Sequence, residues 1–362
     1  DGGFVVVWTV SPRDGHRVIH ARLYGRDGMP ASGELRLIDR NPGSQQADRV
    51  AADKDGSFLL VSTEQASLSG KSEVFVRRFN RDGTPRAARF RVHPASASNR
   101  FDGVLAIGRA GRIAVAWTAD VILDPHNLSY SDARARIFTA SGTALSPEFL
   151  VAAGFSGFGD DNEYAFSSAL ALAPDGTLTA LSQIFISPGG MTTVLLRRPG
   201  NGSAPTRDEL NPPSLPFPSP GAGLAMGRNG SLVAVWSAYD VAARKYAPSG
   251  APVGSEIVVS RRRPNDPQYY PVVALLPGGG FVVVWTETGP RDGSDWGLYG
   301  RTFAADGTPL SNDFRVNTTT AGFQYGPAVA AGVKGPVVVV WNQRSESGKY
   351  DVFARVLFPA TP

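Results

Sequence analysis

The sequence predicts an all-β chain, a seven-bladed β-propeller of four-stranded antiparallel blades whose first and last blades are incomplete. Three observations predict it: a degenerate repeat of about 55 residues runs through all 362, each copy carries a mainly apolar strand behind a turn glycine, and an alanine recurs at one position of the strand before it. Composition agrees, because 42% hydrophobic residues with 41 Gly and 28 Pro describe a folded chain with many turns.

The turn glycines are Gly2, Gly56, Gly111, Gly176, Gly230, Gly279 and Gly335, spaced 49 to 65 residues apart. The segments behind them read FVVVW, FLLVS, IAVAW, LTALS, LVAVW, FVVVW and VVVVW. Five apolar residues in a row, bounded by turn signals, predict a strand covered on both faces. Five residues before each glycine from the second onward stands an alanine: Ala51, Ala106, Ala171, Ala225, Ala274 and Ala330. Strands converging on a propeller axis leave no room for more than a methyl group there, so these residues mark the innermost strand.

A third strand follows in each copy and holds one recurring arginine: Arg22, Arg77, Arg136, Arg197, Arg244, Arg301 and Arg355. Turns such as Asp27-Gly28, Asp82-Gly83 and Asp306-Gly307 then lead into a fourth strand. Twelve residues after the arginine an acid stands in five of six copies, Arg89 being the exception. The pairs Arg22 with Glu34, Arg136 with Glu148, Arg197 with Glu209, Arg244 with Glu256 and Arg301 with Asp313 are therefore expected to face across the third and fourth strands. Seven copies of an arginine speak for a structural part, since one catalytic site needs one.

On this reading residues 1–362 form a single domain with blades near 1–44, 45–98, 99–153, 164–211, 219–262, 268–318 and 323–359. The first copy begins at its second strand and the last ends after its third, so the expectation is that the chain is trimmed or that a segment outside it supplies the missing inner strand. The runs FVVVW with ARLYGRDG, and FVVVW with YGRTFAADGTPLSNDFRVN, resemble the β-propeller blade repeats of large secreted or surface-attached bacterial proteins. That resemblance implies architecture and a secreted, periplasmic or cell-surface setting more than an activity.

In such a blade the connections between strands two and three and between blades share one face. Every long segment falls there: 119–131, 152–166, 184–192, 211–221, 260–270 and 287–297. Function is expected on that face. Its candidate binding residues are Phe155 and Tyr164, then Arg261, Arg262 and Arg263 beside Tyr269 and Tyr270, then Trp296. Trp296 lies outside the strand-end position of Trp8, Trp117, Trp236, Trp285 and Trp341, which are expected to pack between blades. Asp160, Asp161 and Glu163 form the one weak metal candidate, for calcium, without regular ligand spacing. No other cofactor is suggested.

Several classes are excluded. The net charge of +4 is small and spread along the chain, which gives no footprint for nucleic acid, and no apolar run is long enough for a membrane-spanning helix. The absence of cysteine removes disulfides and thiolate metal sites. No zinc-protease, nucleophile-elbow or phosphate-loop motif occurs, and His16, His20, His93 and His126 are scattered. The first expectation is a non-catalytic recognition or scaffold propeller holding a protein partner. The alternatives are a lectin-like carbohydrate binder and a glycan hydrolase or lyase, the last requiring carboxylates from different blades to converge.

Overall fold

The computed structural model describes residues 2–12, 15–38, 43–68, 70–96, 98–122, 129–154, 164–186, 190–210, 221–238, 240–260, 266–293, 296–332 and 336–358. The chain divides into two compact units, Gly3–Pro213 and Ser214–Pro362. Each is built of antiparallel meanders that follow the sequence repeat.

In the first unit one meander runs Phe4–Val10, Val18–Tyr24 and Leu35–Arg36, and the next runs Gln45–Ala52, Phe58–Gln65, Ser72–Phe79 and Phe90–Arg91. A third runs Arg100–Ile107, Ile113–Ile122, Ser129–Phe138 and Phe149–Ala152, and a fourth Tyr164–Leu172, Leu178–Ile186, Gly190–Arg198 and Thr206–Glu209. In the second unit one meander runs Ala222–Met226, Leu232–Ala238, Asp240–Tyr246 and Pro252–Ser260. It is followed by Gln268–Leu275, Phe281–Thr288, Trp296–Phe303 and Phe314–Arg315, and then by Phe323–Ala331, Val337–Arg344 and Tyr350–Leu357. All six recurring alanines lie on the first strand of a meander, as the repeat predicts.

The continuous apolar runs have a plain cause. Successive side chains of a strand point to opposite faces, and the second strands between the first and last meanders are covered on both, whereas Phe4–Val10 is mostly half-buried and Val337–Arg344 is buried on one face only. Leu59 and Val61 pack with Ile113, Val115 and Trp117 of the following meander. Phe58 and Leu60 pack the other way, on Ile19, Ala21 and Leu37 of the preceding one. In the second unit Val283 and Trp285 face Val233 and Val235, while Val282 and Val284 face Val337, Val339 and Trp341. Trp117, Trp236, Trp285 and Trp341 are buried and Trp8 is half-buried.

The turns follow from the Asp-Gly and Asn-Gly pairs. Asp82 Oδ1 accepts from the Thr84 amide at 2.9 Å and Asp306 Oδ1 from the Thr308 amide at 2.8 Å, while Gly83 and Gly307 take positive φ. Hydrogen bonds from the Thr84 hydroxyl and amide hold the Asp82 carboxyl below the usual carboxylate range, and those from the Thr308 amide and hydroxyl do the same for Asp306.

Two expectations are corrected. Several segments read as long loops are strand: Ile113–Ile122 and Ser129–Phe138 pair residue for residue from Ile122 with Ser129 onward, and Gln268 and Trp296 already lie in strands. The hairpins extend because each backbone group near their ends finds a partner across the strand pair.

The recurring arginine is the second correction. Arg244 does meet Glu256, at 3.4 Å. Glu34, however, contacts His20 rather than Arg22, and Glu148 pairs with Arg134 at 3.0 Å rather than with Arg136. In both cases the acid takes the base two residues earlier, which lies on the same strand face and within diagonal reach. Glu209 pairs with Arg207 at 3.8 Å. Arg301 stands 4.0 Å from Asp313, whose nearer partner is Arg291 at 3.3 Å. The guanidinium of Arg301 donates instead to carbonyls, to Ser311 O at 3.1 Å and to Val259 O of the preceding meander at 2.9 Å. Arg355 does likewise to Val316 O at 2.8 Å. In these two copies the arginine stitches one meander to the one before it. Arg301→Ala is therefore expected to cost about 1.5–3 kcal/mol and Arg244→Ala under about 1 kcal/mol in urea denaturation, and equal losses would remove the stitching role.

Among the described residues no helix is long and apolar enough to cross a membrane.

Candidate functional site

The first strands share a defect that places the chemistry. Each of five loses register with its neighbour at the same position, three or four residues before the recurring alanine: at Asp48, at Asp102-Gly103, at Ser168, at Tyr270-Pro271 and at Gly326-Pro327. Such bulges re-aim side chains that a regular strand would bury against its neighbours. In two of them a residue other than glycine is forced to positive φ, Asp102 at 54° and Tyr270 at 52°.

In the first unit the bulges bring two carboxyls together. Asp48 Oδ2 accepts from Thr63 Oγ1 at 2.7 Å and from the Gly103 amide at 3.0 Å, and the Asp102 amide donates to the same Thr63 oxygen at 3.2 Å. Gly103 makes this approach possible, since a Cβ there would lie 2.4 Å from Val61 Cγ2. Asp48 Oδ1 is buried without a hydrogen bond. Arg49 Nη2 donates to Ser168 O at 3.3 Å, and its charge bears on both acids. Burial, reinforced by Asp102 and opposed by Thr63, Gly103 and Arg49, pushes the Asp48 carboxyl up to about 7. Burial also raises Asp102, with Arg49 working against it. By accessible surface Asp48 is half-buried and Asp102 and Arg49 are exposed, yet all three have protein packed around them. Both descriptions fit side chains that line a recess which water can enter.

The second unit gathers rings at its bulges. Tyr269 stacks on Trp296, centroids 5.9 Å apart and 6° from parallel. Phe323 and Tyr325 each stand edge-on to Trp296 at 6.2 Å, and Tyr270 lies 6.2 Å from Tyr269.

Of the residues singled out from sequence, Tyr269, Tyr270 and Trp296 thus come together. Phe155, Asp160, Asp161, Glu163, Arg261, Arg262 and Arg263 lie outside the described residues, as does the side chain of Tyr164, whose backbone opens a strand. Sequence reasoning missed Asp48, Arg49, Thr63 and Asp102, and also Phe323 and Tyr325. Asp48 and Asp102 share one signal, an acid three or four residues before the recurring alanine, whereas Thr63 lies on a second strand and carries none.

Comparison with known proteins adds the fold relationship. No protein-family model matches the chain, and no curated protein is similar to it. Among solved structures, the chain is similar to a protein of unknown function from Dyadobacter fermentans, with a TM-score of 0.59 at 13% identity over 88% of this chain and 96% of that one. It is similar to an ulvan lyase, described as a new family of polysaccharide lyase, with a TM-score of 0.56 at 11% identity over 86% of this chain and 78% of that one. A Hadza microbial sialidase gives a TM-score of 0.53 at 9% identity over 91% of this chain and 71% of that one. These likenesses show the fold, an all-β propeller-like architecture. The expectation of a non-catalytic recognition or scaffold propeller is overturned here, because the neighbours with a stated activity are enzymes.

Proposed function

We propose that this chain is a carbohydrate-active enzyme, a glycan hydrolase or lyase on a β-propeller, with Asp48, Asp102 and Arg49 at its reacting centre. The observation that carries this reading is the Asp48 carboxyl. It holds its proton to about pH 7, has one oxygen free of hydrogen bonds, and lies beside a second carboxyl and a guanidinium on the neighbouring bulge and residue. The sialidase and the ulvan lyase among the structural neighbours support the substrate class. The sequence repeat supports seven blades in one ring, and its resemblance supports an extracytoplasmic setting.

A carboxylic acid with a raised pKa, paired with a second carboxylate, is what acid–base cleavage of a glycosidic bond requires. In hydrolysis Asp48 gives its proton to the glycosidic oxygen as the bond to the anomeric carbon breaks, and Asp102 takes a proton from the incoming water. In elimination Arg49 offsets the charge of a uronate carboxylate, Asp102 takes the adjacent ring proton, and Asp48 protonates the departing oxygen. Thr63 and Gly103 keep the Asp48 oxygen that they bond from turning away.

A panel of neutral, uronate-containing, sialylated and sulfated glycans tests this, read out by new reducing ends and by the absorbance of unsaturated uronates. Cleavage by the wild-type chain and none by Asp102→Asn is expected. Full activity in Asp102→Asn, or no cleavage of any glycan in the panel, removes the proposal.

A further inference from the structure

The ring cluster of the second unit is built unlike a core. Its strands also carry Phe281, Trp285 and Phe303, all fully buried. Yet Tyr269, Trp296, Phe323 and Tyr325 are only half-buried, and Tyr270 is 40% exposed. Apolar burial alone would have turned these rings inward.

The backbone beneath them is shaped to hold Tyr270 out. A φ of 52° is rare for a bulky side chain, and it persists only where its surroundings impose it. Gly221 supplies part of that imposition: its φ is +124°, and a Cβ on it would sit 2.4 Å from the Tyr270 Cα. A glycine is thus required for the two backbones to approach.

A cation stands beside the rings. The Arg344 guanidinium lies 5.9 Å from the Phe323 ring centroid and 5.7 Å from that of Tyr350, and Arg344 is exposed. Among the described residues it pairs with no carboxylate. Resting a guanidinium on ring faces leaves its N–H edges free for a planar anion.

Flat ring faces fit the C–H faces of a pyranose, tyrosine hydroxyls can bond sugar hydroxyls, and a free guanidinium fits a carboxylate or sulfate. We propose that Tyr269, Tyr270, Trp296, Phe323 and Tyr325 form a stacking subsite for an acidic sugar ring, with Arg344 binding its anionic group. This deepens the glycan reading of the Asp48 centre, on which it rests for the class of substrate.

The test uses the full chain carrying Asp48→Asn, so that no ligand is consumed. Uronate glycans are set against their methyl esters and sulfated glycans against desulfated forms, on an array and then by titration calorimetry. At least one acidic glycan is expected to bind about tenfold or more tightly than its neutral counterpart. Which of the two comparisons shows the difference separates carboxylate from sulfate. Arg344→Gln should erase the preference while keeping residual binding, and Trp296→Leu should abolish binding of both forms with an unchanged denaturation midpoint. Equal binding of acidic and neutral forms, no binding of any acidic glycan, or binding indifferent to both substitutions overturns the subsite. Binding that follows these expectations, together with a wild-type chain that cleaves no glycan of the panel, overturns the catalytic reading alone.

Discussion

Asp48→Asn is expected to lower glycan cleavage by about 10²- to 10⁴-fold while making the folded chain more stable at pH 8. The two effects have one origin. The folded chain raises the Asp48 carboxyl from 3.8 to about 7, chiefly by burial, so the folded state binds the proton more tightly than the unfolded state does. By linkage, stability then falls as pH rises between these two values, since the unfolded chain ionises there and the folded chain does not. Below about 4 the acid is neutral in both states and its penalty is absent; above about 7 the penalty is complete. The amide of asparagine keeps an acceptor for Thr63 and Gly103 and carries no charge. A shift of three pH units corresponds to about 4 kcal/mol, and water entering the recess reduces this, so a gain of about 1–3 kcal/mol at pH 8 is expected, vanishing near pH 4. Chemical denaturation across pH measures it. A gain of equal size at pH 4 and pH 8 would show that Asp48 is not held protonated, and the acid role assigned to it would go with that result. If Asp48 is the acid, the same shift places the loss of activity of the wild-type chain near pH 7 on the alkaline side, where the acid has given up its proton.

The residues that define the sheets were legible because their cause is local. A five-residue apolar run has to be covered on both faces, and Val282 to Trp285 are. An Asp-Gly pair sets a turn through its own amides, as at Asp82 and Asp306. Trp296 stood out because it breaks the repeat. The acid pair was not legible, since Asp48 and Asp102 lie in different copies and meet only where two strands lose register together. A spacing of twelve between arginine and acid was visible, but the arginine's partners in two copies are backbone carbonyls, Val259 O and Val316 O, which every residue type offers. Side-chain acceptors leave a mark in sequence; main-chain acceptors leave none. Diagonal neighbours explain the rest, because a strand face offers an acid two bases rather than one, and His20 and Arg134 took the places expected for Arg22 and Arg136.

Trp285→Ala is expected to destabilise the chain by about 3–5 kcal/mol, the largest loss any single ring here should produce. Trp285 is fully buried in the cluster with Val233, Val235, Val273, Tyr299 and Phe303, so its removal opens a cavity between two sheets whose hydrogen-bonded strands cannot collapse into it. Its indole N–H also donates to Glu287 Oε2 at 3.3 Å, but that buried carboxylate keeps Gln268 at 3.4 Å and Arg291 at 3.0 Å. The loss is therefore a packing loss, and Trp285→Phe should recover more than half of it. Trp296 is the control, eleven residues along the same hairpin and only half-buried among other rings. Trp296→Ala is expected to cost about 1 kcal/mol or less in the same denaturation, because a ring that water already reaches leaves little cavity behind. If the two substitutions proved equally damaging, Trp296 would be a packing residue like the other tryptophans, and the contrast between a buried ring that holds sheets together and an accessible ring kept for a ligand would be lost.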